Sequence, residues 1–289
     1  MAYPESMRYF IVDAFTDRPF SGNPAAVCLP ERELPVETMA ALAREFALSE
    51  TAFVLRENES WRLRWFSPAM EIPLAGHPTL AAARVMRELG LASEDVVRFR
   101  TQAGELRARF DGDTVELDFP ARPATAAPLP PRVSEALGLN DAPEWSGVNA
   151  GRNWLVDLGS AEAVRRLAPD RGATMALADA LHGIIVTGAG DARSAGGAPP
   201  DEPAAVSSRF FAPEAGVFED PVTGSAHCAL APYWAPVLGT NEFLAYQASA
   251  RGGLIRITLT GDRVRLAGGC AIVAEGEVRS EAIRKGGMI

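Results

Sequence analysis

At 289 residues, with 47% apolar and 22% charged side chains, the chain has the composition of an ordinary globular protein with room for two cores. Its formal net charge of -9 argues against nucleic acid as a partner, yet permits an anionic small molecule, because a local field can oppose the global charge. Three cysteines, Cys28, Cys228 and Cys270, are too few and too scattered for a disulfide framework or a zinc site, and no apolar run approaches a membrane span.

The first residues show no basic stretch followed by an apolar run, so a cytoplasmic protein is expected. Ala25-Ala26-Val27 runs into a helical pattern from Val36 to Phe46. Glu50 stands in Leu48-Ser49-Glu50-Thr51-Ala52-Phe53-Val54, just before an apolar strand, where a partly desolvated carboxyl suits general acid–base work. Arg64-Trp65-Phe66-Ser67-Pro68 then leads to Gly76-His77-Pro78-Thr79, which precedes a helix over 80–89 with Gly90 as its stop. Gly104-Glu105-Leu106, the turn Gly112-Asp113, and Val115 and Leu117 read as a hairpin. The prolines from Pro120 to Pro131 read as a linker that neither pairs in a sheet nor continues a helix.

The second half follows the same course. Trp154-Leu155-Val156 runs into a helical pattern over 162–167, and His182 precedes an apolar strand, where a structural role is expected. The segment 188–208, rich in Gly, Ala, Asp and Pro, reads as a surface excursion of the kind that forms lids. Arg209-Phe210-Phe211-Ala212-Pro213 leads through Glu219-Asp220-Pro221 to Thr223-Gly224-Ser225, which opens a helix over 226–234 that Pro232 is expected to kink or shorten. Gly253-Leu254-Ile255, the turn Gly261-Asp262, and Val264 and Leu266 repeat the hairpin.

Four segments thus recur in the same order, which points to a duplicated α/β unit of strands around one helix. Both helix starts carry small residues that leave backbone N–H groups open to an anion. If the halves are related by a pseudo-two-fold axis, the two starts face one cleft and hold a carboxylate without an arginine. His77 and Asp220 occupy equivalent places in the repeats. There is no Gly-x-Gly-x-x-Gly after a strand and no phosphate loop, and His77, His182 and His227 lack metal-ligand spacing, so neither cofactor nor metal is expected.

With these residues in hand, the sequence resembles the phenazine-biosynthesis isomerase (PhzF-like) family of the diaminopimelate epimerase fold superfamily. The stretches that carry the resemblance are Asp13-Ala14-Phe15, Phe20-Ser21-Gly22-Asn23-Pro24-Ala25-Ala26-Val27, Leu48-Ser49-Glu50-Thr51-Ala52-Phe53, Ala75-Gly76-His77-Pro78-Thr79 and Glu219-Asp220-Pro221-Val222-Thr223-Gly224-Ser225-Ala226. The resemblance implies two pseudo-symmetric α+β domains, each a curved, mostly antiparallel sheet around a central helix, over 1–120 and 121–277, with the last strand, about 278–289, returning to the first. It implies a cofactor-free, cytoplasmic, homodimeric isomerase of a small carboxylate-bearing molecule, the best-understood member acting on a dihydro-hydroxyanthranilate. Carried over by motif, Glu50 is the proton shuttle, His77 and Asp220 assist, and Asn23, Ser49, Gly76, Gly224 and Ser225 contact substrate. Racemases of the wider superfamily place a cysteine at each helix start, where this chain has Gly76-His77 and Asp220. An amino-acid racemase or epimerase, and a non-catalytic binding protein of the same fold, stand as the alternatives.

Overall fold

Strand Ser6–Ala14 carries Met7, Phe10 and Val12 as buried side chains, and it is paired along both edges. Asn23–Leu29 runs antiparallel on one side; Cys270–Arg279, from the far end of the chain, runs antiparallel on the other. That return decides the partition. The computed structural model describes residues 6–58, 60–92, 95–149, 152–191 and 203–285, and they fall into two units, Met1–Asp118 with Ala267–Ile289, and Phe119–Leu266. The expected boundary near residue 277 therefore moves to Leu266. The returning strand is Cys270–Arg279, and a helix, Ser280–Lys285, occupies part of the stretch where that strand was expected.

The strand pairings of the two units match one for one. In the first, Asn23–Leu29 pairs parallel with Glu50–Glu57, which pairs antiparallel with Ser60–Phe66. Ser60–Phe66 pairs parallel with Val96–Thr101, which pairs antiparallel with Gly104–Asp111. In the second, Asn153–Ser160 pairs parallel with Gly183–Ala189, which pairs antiparallel with Val206–Ala212. Val206–Ala212 pairs parallel with Glu242–Gln247, which pairs antiparallel with Gly253–Thr260. The duplication read from the sequence is thus a duplication of hydrogen-bond ladders, and the mixed, mostly antiparallel α+β class is the one expected.

Each unit holds one buried helix. His77–Glu88 is buried at every position from His77 to Ala83 and again at Val85 and Met86, so it is apolar nearly all round and lies in the core rather than on a surface. Its alanines, Ala81, Ala82 and Ala83, let strands approach closely. The more amphipathic helix Val36–Phe46 covers the other side of the sheet, where Met39, Leu42 and Ala43 pack with Cys28, Phe53 and Phe66. In the second unit the buried helix is Gly224–Leu238, and Val133, Ala136 and Leu137 of the short helix Pro131–Leu137 join Val156, Ile184, Val186 and Phe211 in a separate cluster.

Three local expectations are corrected. Pro232 does not shorten its helix, which runs through Pro232 and Pro236 to Leu238. A proline removes the N–H that would bond the carbonyl four residues earlier, and here that carbonyl, on Cys228, accepts from Arg122 N–H at 2.9 Å instead. The proline-rich linker does pair: Ala124–Ala126 forms a short strand against Trp145–Asn149, and Pro131 opens a helix, since prolines flank the strand rather than interrupt it. The excursion expected over 188–208 narrows, because Gly183–Ala189 and Val206–Ala212 are strands; residues 192–202, where a lid was expected, lie outside the described residues. Among the described residues no helix is long and apolar enough to cross a membrane.

Candidate active site

In the first unit, parallel pairing sets Ala25 opposite Glu50 at the start of the strand Glu50–Glu57. The buried helix begins at His77, with Gly76 as its N-cap and no side chain capping its first amides. Strand start and helix start meet: His77 Nε2 lies 3.1 Å from Glu50 Oε2, with the side chains 7% and 22% exposed. The contact has hydrogen-bonding distance without the alignment of a formed hydrogen bond. Burial pushes the His77 ring down to about 3, only partly offset by its hydrogen bond to the Pro24 carbonyl, so the imidazole is neutral at physiological pH.

The tautomer follows from those partners. Pro24 has no N–H, so its carbonyl accepts and His77 Nδ1–H donates. Nε2 then presents a lone pair to Glu50 Oε2, and the pair is satisfied when Glu50 carries a proton. The neutral imidazole is thereby placed to hold a proton that Glu50 carries. Asn23, fully buried, immediately precedes Pro24, and Ser49, partly exposed, immediately precedes Glu50.

In the second unit, Asp220 ends the strand Val217–Asp220 and accepts a short hydrogen bond from the Thr223 hydroxyl. Thr223 is the N-cap of Gly224–Leu238, yet its hydroxyl serves Asp220 and leaves the first helix amides, at Gly224 and the partly exposed Ser225, without a side-chain cap. Gln247 fixes the turn from behind: its Oε1 accepts from Thr223 N–H at 2.8 Å, and its Nε2 donates to the Asp220 carbonyl at 2.8 Å. One turn into the helix, His227 Nδ1–H donates to the Thr223 carbonyl at 2.8 Å, and burial pushes that ring down to about 4.

The structure therefore joins Glu50 with His77, and Asp220 with the helix start that carries Gly224 and Ser225. His182 pairs at the surface with Glu214 at 2.5 Å. The thiols have other surroundings: burial raises Cys28 far above the ordinary range and Cys270 to about 12, and Cys228 is buried in its helix. No group of acidic, histidine or cysteine side chains suited to a metal occurs among the described residues.

Sequence reading missed several positions. Gln247 gave no local signal, being a single amide at a strand end. Arg64 and Arg209 marked the repeat, but their partners went unread: each makes a two-pronged contact, Arg64 with Glu71 at 2.7 and 2.8 Å and Arg209 with Glu219 at 2.7 and 3.0 Å. Both forks brace the turn before a helix start, and the recurrence of Arg and Glu in both halves was the available clue.

Comparison with known proteins gives a consistent result. A family model described as phenazine biosynthesis-like protein (PhzC-PhzF) matches residues 12–276. An uncharacterized isomerase of Pseudomonas aeruginosa is 43% identical, covering 94% of this chain and 98% of its own. A phenazine biosynthesis-like domain-containing protein of Homo sapiens is 38% identical, covering 92% and 97%. Among solved structures, a PhzF-family protein of Enterococcus faecalis superposes with a TM-score of 0.85 at 38% identity, covering 94% of this chain and 99% of its own. A hydroxyproline epimerase of Agrobacterium vitis shares the fold at 12% identity, with a TM-score of 0.60 over 100% of this chain and 97% of its own.

Proposed function

Because the chain belongs to the phenazine biosynthesis-like (PhzC-PhzF) family, we propose that it is an isomerase that moves a proton between carbons of a small carboxylate-bearing molecule, with Glu50 as the shuttle and no cofactor in the step. The observation that carries this reading is the Glu50–His77 pair at 3.1 Å, a buried imidazole against a partly buried carboxyl. Glu50 as carboxylate takes a proton from one carbon; His77 Nε2 offers its lone pair to that proton while Glu50 holds it; Glu50 then returns it to a second carbon. A neutral imidazole suits this role, since a charged one would compete as the acid.

The uncapped helix start of each unit, at Gly76 in the first and at Gly224 in the second, is suited to the substrate carboxylate. Asp220, fixed by Thr223 and Gln247, orients the substrate, with Asn23, Ser49 and Ser225 as further contacts. A thiol-pair racemase is less well supported, because neither helix start carries a cysteine.

The test is turnover in deuterated water of a panel of cyclic and acyclic unsaturated carboxylates, followed by proton NMR. Double-bond migration with deuterium incorporation is expected for the native enzyme. Glu50→Gln is expected to lose at least about 100-fold in rate, the scale of a lost general base. A Glu50→Gln variant that folds normally and turns over at the native rate overturns the assignment.

A further inference from the structure

Asp13 is a carboxylate only 1% exposed, in the strand Ser6–Ala14 that is paired along both edges. Its ladder partner on one side is Pro24, whose carbonyl accepts from His77 Nδ1–H. Pro24 has no N–H to give either neighbouring strand, so its place depends on the segment that leads into it. That segment is strained. Phe15 and Phe20 stand at φ 62 and 70, left-handed values that side chains disfavour, and Gly22 follows at +67. Residues other than glycine keep such angles only where their surroundings impose them.

Asp13 imposes them from inside the sheet. Its Oδ2 accepts from Phe20 N–H at 2.7 Å. Thr16 ties the same turn twice, sharing a hydrogen bond with the Ser21 hydroxyl at 2.6 Å and donating its N–H to the Gly269 carbonyl at 3.2 Å. An asparagine amide has the size and the acceptor oxygen to take the Phe20 N–H at a lower desolvation cost than a buried carboxylate. What the carboxylate adds is strength, since a charge-assisted hydrogen bond is about twice as strong as a neutral one.

The consequence falls on the Glu50–His77 pair. With the Pro24 carbonyl in place, His77 carries its proton on Nδ1 and turns the Nε2 lone pair to Glu50 Oε2, 3.1 Å away. With that carbonyl displaced, Nδ1 loses its acceptor. A ring protonated on Nε2 instead donates to a Glu50 carboxylate, and the proton of the pair then sits on the imidazole rather than on the acid. We propose that Asp13 is a positioning residue for this pair: by locking the turn over 15–22 it fixes the Pro24 carbonyl, and so decides which ring nitrogen of His77 carries the proton. The proposal rests on the isomerase reading above, in which Glu50 is the shuttle.

The experiment is long-range proton–nitrogen NMR at neutral pH on protein labelled with nitrogen-15 at histidine, native and Asp13→Asn, the His77 signals being those that His77→Gln removes. The native ring is expected in the Nδ1–H form. In Asp13→Asn the tautomer ratio is expected to shift towards Nε2–H by about tenfold or more. His227, which bonds to the Thr223 carbonyl in the second unit, is expected to keep its pattern. A His77 pattern unchanged in folded Asp13→Asn, or one that changes together with that of His227, overturns the role of Asp13 and leaves the Glu50–His77 reading standing. A native His77 ring that is charged or protonated on Nε2 sinks both. Where Asp13→Asn alone does not fold, it is combined with Phe20→Gly, which removes the left-handed cost at that position, and read in the same way. Failure of the double variant to fold assigns Asp13 to stability alone and overturns the proposal.

Discussion

Burial keeps the His77 imidazole neutral, and its neutrality is what gives Glu50 a lone pair to lean on. The equivalent precision around Asp220 comes from an amide. Replacing Gln247 with Leu removes the acceptor of Thr223 N–H and the donor to the Asp220 carbonyl, both in a buried turn. Gln247→Leu is expected to lower stability by about 1–3 kcal/mol, read from the urea midpoint. Gly22 sets a different kind of limit: its φ is +67, and an added Cβ would lie 2.2 Å from the Ala14 carbonyl oxygen. Backbone cannot yield there as a flexible side chain could, so Gly22→Ala is expected to cost at least about 2 kcal/mol in the same measurement. The glycine sits one residue before Asn23 and holds the approach to the strand that carries Pro24, the partner of His77.

At the scale of elements, the two buried helices begin without side-chain caps for a common reason. The residue that would cap is absent in one, where Gly76 stands, and engaged elsewhere in the other, where the Thr223 hydroxyl serves Asp220. Open amides at a buried helix start are costly unless an anion takes them, so both starts are suited to a ligand by the same physics. The helix Gly224–Leu238 also shows how a proline is tolerated mid-helix: the carbonyl that Pro232 orphans is satisfied by Arg122. Removing an interior proline commonly recovers about 3 kcal/mol. Pro232→Ala is expected to gain less than about 1 kcal/mol, because the new N–H competes with Arg122 for one carbonyl; a full gain in the urea midpoint would show that the Arg122 bond contributes little.

At the scale of the molecule, each unit buries one histidine in its neutral form, His77 and His227. Both folded-state values, about 3 and about 4, lie below the ordinary value of 6.5. Between these values the unfolded chain binds more protons than the folded one, so stability rises with pH and is lost on acidification. The steepest loss is expected between about pH 6 and 4, where both rings resist protonation. Glu71, held low chiefly by its hydrogen bonds from Arg64, adds to the loss at the acid end. Urea midpoints from pH 4 to 7 are expected to fall toward acid in the native protein and to flatten when His77 and His227 are both replaced by glutamine.

What the sequence determined by itself was whatever is written locally. The duplication was legible in turns, aromatic pairs and helix starts, since these are short-range patterns with fixed periods, and Glu50, His77 and Asp220 stood out because each sits at such a junction. Only the tertiary structure decided what depends on register and return. It brought Glu50 to His77 across a parallel pairing, sent Cys270–Arg279 back to Ser6–Ala14, and set Gln247 behind Thr223. A strand's face and a chain's return are fixed by ladders between residues far apart in sequence, and no window of neighbouring residues contains that information.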